Sequence, residues 1–158
     1  MFKINIKGNL ERIGDNNMLT GRICVSLSER CFPDESWDDF IETILIEWAN
    51  EVCSNNEQKK NGKLIFFDGP YLIVYEISDL VMNLYCTSYD EGFVLDHIPV
   101  EKRNECLKVD FLDFLSELQS AIRTLIETLT HQPIPHDITN LSFASRKLEL
   151  IINSDMNK

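Results

Sequence analysis

The chain has 158 residues, 44% hydrophobic and 26% charged. That is enough length for one globular domain with a single core, and the few glycines and prolines speak against a repeat or low-complexity chain. Its formal net charge of −11 repels nucleic-acid phosphates and anionic membranes and leaves a basic protein partner, or simple solubility, as the meaning of the acidity.

The charge is unevenly placed. Between Cys31 and Gln58 stand Asp34, Glu35, Asp38, Asp39, Glu42, Glu47, Glu51 and Glu57, with no lysine or arginine. The cysteines are Cys24, Cys31, Cys53, Cys86 and Cys106, an odd number with no C-x-x-C pair. Neither a disulfide ladder nor a zinc-ribbon spacing follows from them, and a reducing compartment is expected. The N-terminal MFKINIKGNL lacks the apolar core of a signal peptide, and no run reaches the about 20 apolar residues of a membrane span. A cytoplasmic protein is therefore expected.

Taken in order, Phe2, Ile4 and Ile6 alternate with Lys3, Asn5 and Lys7, a half-buried strand running to about Ile13. Gly14-Asp15-Asn16-Asn17 reads as a turn, and Ile23, Val25 and Leu27 as the returning strand of an antiparallel hairpin. In FPDESWDDFIETILIEWANEV, residues Trp37, Phe40, Ile41, Ile44, Leu45, Trp48 and Val52 recur at helical spacing. Ser36 is the expected N-cap, with Asp38 and Asp39 in a first turn where the helix dipole favours anions. On this reading Asp34, Glu35, Asp38, Asp39 and Glu42 line an outward acidic strip with Ile46 at its centre. An apolar anchor within a charged rim is the make-up of a partner interface, although single exposed hydrophobes are also normal.

The polar loop SNNEQKKNGK leads into LIFF, expected to be a strand covered on both faces. Asp68, Gly69 and Pro70 then form a corner. Aspartate tolerates turn geometry, glycine allows positive φ, and proline opens the next strand without a ladder donor. This structural reading outweighs Asp68 as a base or metal ligand, since no partner stands at a meaningful spacing. YLIVYEI and LVMNLYCT follow as strands around Ser78-Asp79. FVLDHI is ambiguous, and ECLKV reads as an edge strand. Asp110 caps a second helix carrying Phe111, Phe114, Leu115, Leu118, Ala121, Ile122, Leu125 and Leu129, ended by Gln132-Pro133. A third helix starts at Asp137 or Thr139 and carries Ile138, Leu141, Leu148 and Ile151, with residues 153–158 as a frayed tail.

The expected fold is α+β, one domain over 1–158: a mainly antiparallel sheet of about five to seven strands, with two long helices and a C-terminal helix on one face. His97, His131 and His136 share no ligand spacing. No phosphate-binding or nucleophile-elbow glycine motif occurs. No catalytic residue, cofactor or metal site is therefore assigned.

FPDESWDDFIETILIEW and FFDGPYLIVYEI together resemble a group of small bacterial proteins with a pattern like F-P-x-x-x-W-x-D-F followed by a D-G-P hairpin. Such proteins are similar to immunity proteins of polymorphic toxin systems. The likeness rests on Phe32, Pro33, Trp37, Asp39, Phe40, Phe67, Asp68, Gly69 and Pro70, in the first half of the chain. It implies a stoichiometric cytoplasmic inhibitor of a toxin domain and brings no catalytic residues with it. The residues alone leave a small hydrolase-like enzyme with a carboxylate or cysteine site, and a homo-oligomer subunit, as alternatives.

Overall fold

A computed structural model of the chain describes residues 2–27, 30–54, 60–89, 106–133 and 136–155. Among the described residues the fold is α+β, with antiparallel sheets and three helices. The alternation at the N-terminus forms the expected hairpin, β1 (Phe2–Ile13) against β2 (Met18–Leu27), across the turn at 14–17. The register slips between Lys7 and Glu11, where Gly8 takes φ +80°. Two short strands, β3 (Arg30–Phe32) and β4 (Asp38–Asp39), pair with β2.

The 37–40 stretch departs from its helical reading. Asp38 and Asp39 are strand residues opposite Arg22 and Gly21, and α1 (Ile41–Ser54) begins only after them. Ser36 is not its cap, because the Ser36 amide and hydroxyl both donate to Asp34 Oδ1, each at 2.7 Å. Gly21 lets α1 approach the sheet: a Cβ there would meet Ile41 Cδ1 at 2.7 Å and Leu10 Cδ2 at 2.9 Å.

The expected single sheet is instead two. β5 (Asn61–Ile65), β6 (Tyr71–Ser78), β7 (Val81–Ser88) and β8 (Leu107–Asp110) form a second four-stranded sheet in sequence order. The β5–β6 corner falls at Asp68-Gly69-Pro70 as expected, with Phe66 N–H donating to Tyr71 C=O at 3.1 Å. LIFF is only partly buried: Phe66 is enclosed, but Phe67 is 43% exposed. The ambiguous FVLDHI and His97 lie outside the described residues.

β6 and β7 meet in a two-residue turn, Asp79-Leu80, with φ of +51° and +64°. A right-handed strand twist favours this geometry, but leucine at positive φ is strained by roughly 1–2 kcal/mol. Leu80 is also 53% exposed. Leu80→Gly should therefore raise stability by about 1 kcal/mol in a urea melt. A loss would mean that contacts of the leucine outweigh its strain.

Asp110 ends β8 and caps α2 (Phe111–Thr130), accepting from the Leu112 and Asp113 amides at 2.9 and 3.1 Å. Asp110→Ala should cost about 1 kcal/mol by the same melt, and no loss would show that water replaces the cap. In α3 (Thr139–Asp155) the helix continues through Asn153 and Ser154, which read as tail from sequence; 156–158 lie outside the described residues. One core draws on both sheets and all three helices, with Trp48, Phe66, Tyr75 and Phe114 its largest enclosed side chains. Among the described residues no helix is long and apolar enough to cross a membrane.

Candidate functional site

The two sequence segments that carry the resemblance meet in space, and Asp39 joins them. Its side chain is 2% exposed, turned inward where the sequence places it on an outward strip. Four donors converge on the carboxylate. Oδ1 accepts from the Phe40 and Asp68 amides at 2.7 and 3.1 Å, and Oδ2 from Trp37 Nε1 and the Phe67 amide at 3.1 and 3.0 Å. A buried carboxylate is tolerated when its lone pairs are filled in this way. Asp39 thus staples the 34–37 turn to the 67–70 turn and is not available to a partner.

Aromatic contacts reinforce the staple. The Trp37 and Tyr71 rings meet edge to face with centroids 4.8 Å apart, Tyr71 meets Phe32 at 5.7 Å, and Phe32 meets Phe66 at 5.8 Å. Phe66 meets Trp48 in the core at 5.3 Å. Gly69, at φ +150°, lies under the Trp37 indole, where a Cβ would come within 2.7 Å. The two turns are therefore held in one fixed relation.

On the outside of this corner Phe67, Asp34, Glu35, Asp38 and Asp68 are exposed, and Trp37 is half-buried. The Ser36 hydroxyl and amide hold the Asp34 carboxyl below its usual range. Arg22 stands opposite Asp38 in the sheet and lines one cleft with it.

The remaining members of the expected strip separate from the corner. Glu42 is half-buried and pairs with Arg12 at 3.5 Å. Ile46 is half-buried and packs against the core. It is not the exposed centre of an acidic face, and Ile46→Asp would test stability before binding. The strip fails for two reasons: Asp38 and Asp39 are strand residues ahead of α1, and α3 packs against α1 on the side of Ile46 and Asn50, with Lys147 donating to Asn50. The sequence reading places Phe67 in a covered strand and Trp37 in a helix, whereas Phe67 is exposed and Trp37 half-buried on two turns; adjacency to the D-G-P corner was the available signal for Phe67.

A second polar cleft lies between the β1–β2 turn and the start of α3, lined by Arg12, Asn17, Glu42, His136 and Asp137 among others. Arg12 Nε donates to His136 Nδ1 at 3.0 Å, and the guanidinium also reaches Asn17 C=O at 2.6 Å. Arginine only donates, so Nδ1 accepts and Nε2 is left to donate to Gln132 Oε1, 2.5 Å away. The arrangement ties the hairpin to α1 and, through His136 and Gln132, to the residues between α2 and α3, with the imidazole lone pair already engaged. Burial pushes the Cys86 thiol up to about 12, and burial with the neighbouring Cys31 does the same for Cys24. Cys53 is also raised by burial, with Lys147 opposing. These three thiols stay protonated at neutral pH and are not activated nucleophiles. Among the described residues no group of three histidine, cysteine or acidic side chains is placed to hold a metal ion.

Comparison with protein-family models, with curated proteins and with solved structures finds no match to this chain.

Proposed function

We propose that this chain is a cytoplasmic protein-binding module of the immunity type, which blocks a basic partner such as a toxin domain through the corner built on Asp39. The observation that carries the reading is an exposed Phe67, on a turn that Asp39 ties to the turn of Trp37, with Asp34, Glu35, Asp38 and Asp68 exposed on the same two segments. Interfaces combine an apolar anchor with a charged rim, and the rim speeds encounter with a partner of opposite sign. The cross-tied turns add preorganisation, so little ordering is left for the moment of binding. The resemblance to immunity proteins supports the same reading, since the residues that carry it build this corner.

The test is capture from source-cell lysate at low salt, with tagged wild type beside Glu35→Lys/Asp68→Lys. A single basic polypeptide, retained in stoichiometric amount by wild type, released by salt and missed by the variant, is the expected result. Equal retention by both proteins, or no retained polypeptide, would count against the corner as the binding surface.

A further inference from the structure

Helix α3 turns Leu141, Ala144 and Leu148 into the core. Its outer side carries Phe143 and Leu150, 61% and 72% exposed, the two most exposed large hydrophobic side chains among the described residues. They lie two turns apart on one stripe, with Arg146 and Lys147 between them. Lys147 Nζ sits 4.7 Å from the Phe143 ring centroid and donates to Asn50 Oδ1 at 3.1 Å, which fixes the stripe against α1. On neighbouring α2, Arg123 reaches Glu149 at 3.3 Å and offsets the nearest acid. A protein of net charge −11 thus presents a local basic, apolar strip.

We infer that this strip docks the acidic corner of a second copy of the chain, head to tail. The two surfaces are complementary in kind: exposed apolar side chains with cations on α3, and an exposed Phe67 on two tied segments that also expose Asp34, Glu35, Asp38 and Asp68. Both are exposed in the same molecule, so neither covers the other within one chain. A symmetric contact of α3 with its own copy is disfavoured, because it brings Arg146 and Lys147 of one molecule against those of the next. A head-to-tail contact has no such conflict. It places the corner under competition, so a basic partner and self-association exclude one another.

The experiment is sedimentation velocity from about 1 µM to about 1 mM at low salt and again at about 0.5 M salt. The wild type should sediment faster as concentration rises, and the effect should vanish in high salt. Two variants each remove one surface: Phe143→Ser/Arg146→Glu on α3, and Glu35→Lys/Asp68→Lys on the corner. All four positions are exposed, so both variants should fold. Each should stay monomeric alone. Mixed in equal amounts they should form a discrete dimer, since each supplies the surface that the other lacks.

A wild type that stays monomeric throughout overturns the inference. So does association that survives in the corner variant, which would point to an α3-to-α3 contact, and so does a mixture that fails to pair. The inference goes beyond the basic-partner reading and separates from it cleanly. The α3 variant keeps its corner and should still capture the basic partner, whether or not the chain self-associates.

Discussion

Asp39→Ala is expected to destabilise the protein by about 3–5 kcal/mol, the size of loss seen when one member of a buried charged network is removed. The substitution leaves four donors without their acceptor: Trp37 Nε1 and the amides of Phe40, Phe67 and Asp68. A buried donor left unmade costs about 1–3 kcal/mol, and some relaxation toward water reduces the sum. Asp39→Asn should fall between wild type and alanine, since an amide offers one accepting oxygen and turns its NH2 toward donors. Urea melts give the magnitudes. Near-UV circular dichroism gives the cause, because freeing Trp37 from the carboxylate should alter the indole signal before global unfolding. A loss below about 1 kcal/mol would show that water replaces the carboxylate and that the two turns hold without it.

The same residue shows why part of the fold was legible in the sequence and part was not. The β1–β2 hairpin, the β6 and β7 strands and α2 with its Asp110 cap rest on periodicity and on contacts a few residues away. Such signals are read directly from the chain. Asp39 takes its role from amides 28 and 29 residues further on, and its strand pairing from Gly21. Local reasoning assigned it to a helix start, where an aspartate is equally at home. Once four hydrogen bonds draw it inward, the helix begins later and the acidic strip loses its geometry. A second long-range contact removes the rest: α3 packs on the side of α1 that carries Ile46 and Asn50, and Glu42 joins Arg12. Phe67 went the opposite way. Its place in an apolar run implied burial, but its amide is turned to Asp39 and its ring to the surface. The division into two sheets was not legible, because alternation tells which side of a strand is wet and not which strand it pairs with. What survived from the acidic window is its composition: Asp34, Glu35 and Asp38 are exposed as expected, on turns and a strand rather than on a helix.

Reversing charge at the corner should act on the rate of association more than on stability. Glu35→Lys/Asp68→Lys changes the local charge by four units at two exposed side chains and keeps the residue-68 backbone amide that donates to Asp39. Stability should stay within about 0.5 kcal/mol for each, as for most surface substitutions. Association with a basic partner should slow by roughly 10–100-fold at low salt, because opposite charges raise the encounter rate and like charges suppress it. The difference between wild type and variant should shrink as salt rises, since a Debye length of about 8 Å at physiological ionic strength already screens much of the field. Phe67→Ala should behave differently. The ring makes contact only after encounter, so its loss should speed dissociation and leave the association rate and its salt slope nearly unchanged. Stopped-flow or surface-binding kinetics of the captured partner, run at several salt concentrations, separates the two effects. If charge reversal changed only dissociation, the carboxylates would be part of the contact itself rather than a steering field. If neither variant changed either rate, the partner would bind elsewhere on the molecule.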